Sequence, residues 1–194
     1  MKRKLLCTIV LSLFTCLPLH AQDCQLPQVI TEWDYNATEA IKQNRDWENG
    51  DIETDYWMLS LSWSKRFCER FKEGRIPAFA EHQCLKNKFG LVVHGLWAQS
   101  KGASSYKKHP RNCLDADAID PNVIKEFLCV IPGQKLIQKE WERHGTCDFT
   151  TPEQYLIKTK QLYRQLSLPS IATIESLEYK PEDQIKSELV ALNQ

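Results

Sequence analysis

Large apolar side chains recur at every second position along residues 56–63, YWMLSLSW. Trp57, Leu59, Leu61 and Trp63 therefore share one face of an extended chain, while the residues between them point the other way. This alternation predicts a half-buried β-strand over the segment.

A second strand is predicted over residues 89–94, FGLVVH. The apolar run stops at Gly95, so we expect His94 to lie at the end of the strand, where its side chain can leave the core. Residues 98–120 are polar and rich in turn-forming residues, which predicts a long connection.

Helix signals follow this connection. Asp120-Pro121 and Thr151-Pro152 are each typical of a helix start, with the first residue as the cap and proline at the first helical position. Residues 134–144 have helical spacing between these two starts. The helix after Pro152 is predicted to bury a stripe formed by Tyr155, Leu156, Leu162, Tyr163 and Leu166.

A last helix is predicted to start at residues 180–182, KPE, and to carry Ile185 and Leu189. Few strands and several helices, without strict alternation, indicate an α+β fold with an antiparallel sheet core and packed helices. No internal repeat or long Gly/Ser linker interrupts residues 22–194, so this segment is predicted to be a single domain.

The first 21 residues differ from the rest of the chain. Three cationic residues at 2–4 precede an apolar run over 5–19, and Ala21 suits cleavage, which predicts a secretory signal peptide. The apolar run is short for a membrane span. We therefore expect a secreted or periplasmic protein that does not contact the membrane after the signal is removed. The alternative is a lipoprotein lipidated at Cys16, although the residues before Cys16 fit that signal poorly.

Charge and composition exclude several classes of protein. The chain has 25 basic and 25 acidic residues, and 42% of its residues are hydrophobic, which is typical of a globular domain and not of a disordered chain or a coiled coil. The balanced charge excludes polybasic binding of nucleic acid. A nucleic-acid partner would have to be held by a few placed cations and by stacking surfaces.

Removal of the signal peptide also removes two of the eight cysteines. An even number of remaining cysteines in an exported chain predicts disulfides, and the spacing alone leaves 15 pairings open. The alternative is a zinc site, but the chain has no Cys-x-x-Cys, and the close pair His144 and Cys147 lacks a second pair at suitable spacing. No metal and no cofactor are predicted.

Two histidines stand in clusters of functional residue types. His94 and His144 each precede glycine, and Glu140, Arg143 and His144 share one face of the predicted helix. Histidine titrates near neutral pH, so a pair can supply one base and one acid to the same reaction. A single histidine is most often structural, and Glu140 with Arg143 alone would be a solvated pair; the two clusters together favour catalysis.

Residues 91–97, LVVHGLW, and 140–147, EWERHGTC, closely resemble the two active-site segments of the ribonuclease T2 family in order and spacing. The resemblance covers roughly residues 51–168. It implies a metal-independent endoribonuclease that cleaves single-stranded RNA through a 2′,3′-cyclic phosphate. DNA, which has no 2′-hydroxyl, would not be cut. We expect a monomer.

The resemblance also implies a role for each matching residue. His94 and His144 match the catalytic histidines, with His144 as the base and His94 as the acid, although the residues alone permit the reverse. Glu140 matches the catalytic glutamate. Arg143 matches a phosphate-binding cation that is usually lysine, and Trp97 matches an aromatic residue beside the bound base.

The chain departs from the family's pattern at several positions. Lys139 replaces a histidine and is expected to bind phosphate. Ala98 replaces a proline, and Gln99 stands where some members recognise a base, so the base preference stays open. The chain ends soon after a helix that resembles the family's penultimate element, which leaves two alternatives open: a C-terminally short protein or a truncated coding sequence.

Two disulfides are implied by the resemblance: Cys68 with Cys84, and Cys113 with Cys147. The pairing of Cys24 and Cys129 stays open. Two other functions also stay open. One is a catalytically impaired RNA-binding protein on the same fold; the other is a Cys-His hydrolase, which needs a free thiol at Cys147. Trp141 is predicted to pack in the core.

Overall fold

The computed structural model describes residues 24–71, 75–177 and 182–193. The predicted signal peptide and the first two residues of the predicted last helix start, Lys180 and Pro181, lie outside the described residues. In chain order the elements are α1 (Ala37–Lys42), β1 (Tyr56–Trp63), α2 (Ser64–Cys68), α3 (Ala78–Glu81) with a π-helical turn (His82–Lys86), β2 (Leu91–Gln99), a 3-10 turn (Tyr106–Lys108), α4 (Pro121–Phe127), α5 (Gln134–His144) with a 3-10 turn (Gly145–Cys147), α6 (Pro152–Arg164), α7 (Ile171–Leu177) and α8 (Glu182–Ala191).

The predicted α+β class is confirmed, with β1 and β2 forming an antiparallel pair and helices packed against it. The bounds of β1 are those predicted. The second predicted strand is confirmed, but its predicted bounds of 89–94 were wrong: β2 runs from Leu91 through Gly95 to Gln99, so His94 lies inside it. Glycine does not end the strand because its backbone still pairs with Ser60 of β1.

A β-bulge at His94 shapes this hairpin. Ser60 pairs with Gly95, but Leu61 pairs with Val93, so His94 is an extra residue with no partner on β1. The extra residue shifts the alternation of β2. Val93 and Leu96 are three positions apart and yet both are fully buried in the core, which a regular strand would not allow. The bulge therefore redirects His94 out of the ladder.

The core lies between β2 and the helices α4, α5 and α6. Tyr155 on α6 joins them, since its hydroxyl accepts a hydrogen bond from the amide of Leu96 and donates one to the carbonyl of Leu96, both at 3.1 Å. Trp141 is buried in the same cluster, which confirms its predicted packing role. Gly145 lies so close to Trp141 and Tyr155 that a Cβ would clash with both rings.

The predicted starts of α4 and α6 are confirmed. The carboxylate of Asp120 accepts a hydrogen bond from the Asn122 amide at 2.7 Å, and the hydroxyl of Thr151 accepts one from Gln154. Of the predicted α6 stripe, Tyr155 and Leu156 are fully buried. The short helices α1, α2, α3 and α7 were not predicted, because four to seven residues are too few to show a helical period.

Three disulfides join all the cysteines in the described part of the chain. The pairs are Cys24 with Cys129, Cys68 with Cys84, and Cys113 with Cys147. The last two are the pairs that the resemblance implied, and the first resolves the pairing left open. Because the Cys147 thiol is bonded, the Cys-His hydrolase alternative is contradicted. None of the described helices has the length and hydrophobicity needed to cross a membrane.

Candidate active site

The part of β2 that contains the bulge faces the C-terminal half of α5. His94 and Trp97 project from the strand, and Glu140, Arg143 and His144 from the helix. Gly95 permits this approach: a Cβ there would clash with Oε2 of Glu140 and would lie 2.8 Å from Nε1 of Trp97. The two segments that the resemblance singled out are therefore in direct contact.

Trp97 contacts the other candidate residues of the site. Its indole Nε1 donates a hydrogen bond of 2.7 Å to Oε2 of Glu140. Its ring stacks on the imidazole of His144 and meets the imidazole of His94 edge-on, each at a centroid distance of 5.7 Å. Trp97 thus joins three of the other candidate side chains through direct contacts.

Glu140 is 2% exposed. Burial raises the pKa of this carboxyl to about 7, against the hydrogen bond from Trp97 and the charge of Arg143, which lower it. Its Oε1 lies 3.7 Å from Nε2 of His94. Glu140 is therefore a proton-carrying group near neutral pH, placed beside one of the two histidines.

The two histidines have different surroundings. The His94 side chain is 42% exposed, and its Nδ1 lies 3.3 Å from the hydroxyl of Ser62. Burial, together with the charges of Arg143 and Arg70, lowers the pKa of His94 from its ordinary value of 6.5. His94 faces the open side of the site.

His144 is buried, and its pKa is lowered to about 3 by burial first and then by the charges of Arg111 and Arg143. Its Nε2 lies 3.2 Å from Nη1 of Arg111, so the neutral imidazole accepts a hydrogen bond from the guanidinium. Its Nδ1 has no hydrogen-bond partner among the described residues. The ring is held by Trp97 on one side and by Arg111 at its edge.

A buried carboxylate binds the two arginines of the site. The Asp46 side chain is fully buried, and it accepts hydrogen bonds from Nε of Arg111 at 2.6 Å and from Nε of Arg143 at 2.8 Å. The Tyr35 hydroxyl donates to the same carboxylate and accepts from Nη2 of Arg143. Burial would raise the pKa of Asp46, but the hydrogen bonds from Arg111 and Tyr35 outweigh it and hold the pKa well below its ordinary range.

Sequence reasoning missed Arg111, Asp46 and Tyr35. Arg111 lies in the polar connection after β2, two residues before Cys113, and the disulfide to Cys147 brings it beside His144. That implied disulfide was a usable signal for Arg111. Asp46 and Tyr35 come from the segment before β1, where no periodicity or motif pointed to the site.

The remaining candidates lie in different places. Lys139 is partly buried, one turn of α5 before Arg143, and lines a cavity together with His94. Gln99 is buried at the far end of β2 and donates a hydrogen bond of 2.8 Å to the carbonyl of Ala98. No contact in the described part of the chain joins Gln99 to the two histidines. Among those residues, no three His, Cys, Asp or Glu side chains are grouped so that they could hold a metal ion.

In a comparison with known protein families, residues 54–194 match the Ribonuclease T2 family. The chain is 38% identical over 149 residues to a protein of Haemophilus influenzae named probable ribonuclease. The aligned region covers 74% of this chain and 53% of that protein. It is 35% identical over 95 residues to a protein of Aeromonas hydrophila named ribonuclease, covering 49% of this chain and 38% of that protein. No solved structure matches the chain. The chain spans about half the length, or less, of these curated relatives.

The Asp46 cluster leads to a prediction on stability. Asp46→Asn leaves two arginines without their carboxylate, so we expect the free energy of unfolding to fall by about 2 kcal/mol at pH 7, less than for a deeply buried pair because both arginines reach solvent. Urea unfolding measures the loss, with the exposed Asp148→Asn as control.

The pH dependence of this loss has a defined sign. A carboxyl whose folded pKa is depressed stabilises the fold above its unfolded value, 3.8, and this contribution disappears as the pH falls through the folded value. The gap between wild type and Asp46→Asn should therefore be full above about pH 4 and narrow below it. A gap that widens on acidification would contradict the assignment.

Proposed function

Because the chain belongs to the ribonuclease T2 family, we propose that it is an exported, metal-independent endoribonuclease that cleaves single-stranded RNA by transphosphorylation. The observation that carries the proposal is that His94 and His144 both contact Trp97, in surroundings that give them different proton affinities. The disulfides fit an oxidising compartment.

His144 acts as the base that accepts the proton of the attacking 2′-hydroxyl. Its lowered pKa keeps the imidazole neutral, as a base must be before the reaction. In the free enzyme, the lone pair on Nε2 of His144 accepts a hydrogen bond from Arg111. The phosphate of the substrate competes for this guanidinium, and when Arg111 turns to the phosphate, the lone pair becomes free and the pKa of His144 rises.

His94 acts as the acid that protonates the leaving 5′-oxygen. It is the more exposed of the two histidines and the one with a proton-carrying neighbour, since Glu140 lies 3.7 Å from its Nε2. The negative charge of bound phosphate favours the protonated imidazole. Glu140, neutral below about pH 7, donates its own proton to a phosphoryl oxygen or returns one to His94.

The cations of the site bind the phosphate and stabilise the charge that develops on its oxygens. Arg143, Arg111 and Lys139 supply guanidinium and ammonium donors from α5 and from the connection after β2. Charge-assisted hydrogen bonds of this kind are strongest where the charge grows in the transition state. Asp46 does not touch the substrate; it orients the two arginines.

Replacing either histidine should remove nearly all activity and leave the fold intact. His94→Ala deletes the acid and His144→Ala deletes the base, so each should lower kcat by a factor of about 10² to 10⁴. Arg143→Ala should be milder and should lower kcat more than it raises KM. His109→Ala is the control, since the imidazole of His109 accepts a hydrogen bond from the Ser100 amide instead of contacting Trp97. More than a tenth of wild-type turnover in either active-site histidine variant would contradict the two-histidine mechanism.

The pKa shifts predict an acidic optimum for kcat/KM. The base must be neutral, which sets the acidic limb near pH 3, and the acid must be protonated, which sets the alkaline limb below pH 6.5. Arg70→Met should move the alkaline limb upward, because Arg70 lowers the pKa of His94, while Arg164→Met on α6 should not. Activity still rising above pH 7 would contradict this assignment.

The reaction itself is tested with three oligomers of one sequence: RNA, its all-deoxy form and its 2′-O-methyl form, each with EDTA present. Without a metal-bound hydroxide the enzyme needs the 2′-hydroxyl as nucleophile, so only RNA should be cut, and 2′,3′-cyclic phosphate ends should appear first in mass spectra. Cleavage of the 2′-O-methyl oligomer, or loss of RNA cleavage only when EDTA is added, would overturn the mechanism. Binding of RNA without cleavage in any buffer would favour the impaired RNA-binding alternative.

A further inference from the structure

A row of three cations runs along one face of α5. Lys135, Lys139 and Arg143 lie four residues apart, so neighbouring Cα atoms in the row are about 6 Å from each other. The row begins at Arg143 in the active site and ends at the exposed Lys135 in the first turn of the helix.

Aromatic rings are the partners of this row. Nζ of Lys135 lies 4.8 Å from the centroid of Trp33, Nζ of Lys139 lies 5.5 Å from that of Tyr35, and the guanidinium of Arg143 lies 4.7 Å from that of Tyr35. In the part of the chain that the structure describes, neither lysine forms a salt bridge with a carboxylate. The rings position the side chains without neutralising their charge.

The row is unfavourable for the protein by itself. Like charges four residues apart destabilise a helix, and a cation in the first turn opposes the helix dipole. Burial first, and then the charges of Arg143 and Lys135, lower the pKa of Lys139, while the charge of Glu140 raises it. The first turn of α5 contains no acidic residue, and Gly133 offers no side chain to cap its amides. An anion bound here would relieve each of these costs.

A cavity connects this end of α5 with the active site. Its volume is about 830 Å³, and Lys135, Lys139, Gly133 and His94 all line it. Apolar side chains such as Phe67 form much of the remaining wall. The cavity therefore has room for part of an extended molecule that carries an anion at one end and continues to His94 at the other.

We propose that Lys135, with the first turn of α5, binds a second phosphate of the RNA strand, beyond the phosphate that is cleaved. This inference rests on the proposed function, since the strand is held at His94 by the same cavity. A substrate of two nucleosides joined by one phosphate has no group for Lys135. A longer single strand gains one charged contact, so chain length becomes a determinant of binding.

The test uses Lys135→Met, with Lys135→Arg as the charge-preserving variant and the exposed Lys158→Met on α6 as the matched control. Binding is measured with 2′-O-methyl oligomers of two and of eight nucleotides, which carry one and seven phosphates and are not cleaved, at several salt concentrations. Cleavage is measured separately with RNA of the same two lengths.

We expect Lys135→Met to weaken binding of the longer oligomer about fivefold at low salt and to reduce the slope of log affinity against log salt by about 0.7. Binding and cleavage of the dinucleotide should not change. Lys135→Arg should bind the longer oligomer with the affinity of the wild type. The unfolding midpoint of Lys135→Met should be equal or higher, because a repulsive contact is removed.

Equal effects on both lengths, an unchanged salt slope, or the same loss in Lys158→Met would each overturn the inference. These outcomes are distinct from failure of the proposed function, which would appear as a wild-type protein that cleaves neither RNA. The binding measurement tests Lys135 in that case as well.

Discussion

A single buried carboxylate holds the two arginines of the candidate site in place. Asp46 bonds both Arg111 and Arg143, and through them it sets the position of the guanidinium at His144. The two arginines in turn lower the pKa of His144, and Arg143 lowers that of His94. Without a fixed anion at this point, cations this close would repel one another. The proton affinities of the site thus depend on a carboxylate whose side chain is fully buried.

The segment that supplies Asp46 lies before the family match, which begins at residue 54. It is tied to the rest of the fold at several points: the Cys24–Cys129 disulfide, the hydrogen bond from the Tyr35 amide to Glu142 and that from Asn112 to the carbonyl of Trp47. The family's two segments provide the histidines, while this flanking segment of the chain adjusts the charge around them.

Sequence patterns predicted the parts of the fold whose periodicity is long enough to recognise. The strand β1, the helices α4, α5 and α6 and the face shared by Glu140, Arg143 and His144 followed from spacing and caps. The roles of Asp46 and Tyr35 could not be predicted from the sequence, because a contact between residues far apart in the chain produces no periodic pattern around either residue. Gln99 was expected near a base from its position in the motif alone, and its side chain bonds to the neighbouring carbonyl because that end of β2 is buried.

The bulge at His94 has a consequence for how the hairpin can vary. Removing one residue there would restore a regular ladder and its alternation, and by backbone criteria the hairpin would improve. The same deletion would remove the imidazole of His94. It would also shift Gly95, which has to be a glycine because a Cβ at this position would clash with Glu140. A regular hairpin and the proposed role of His94 therefore compete at one position of β2, and a hairpin selected or designed for stability alone would be expected to lose this irregularity first.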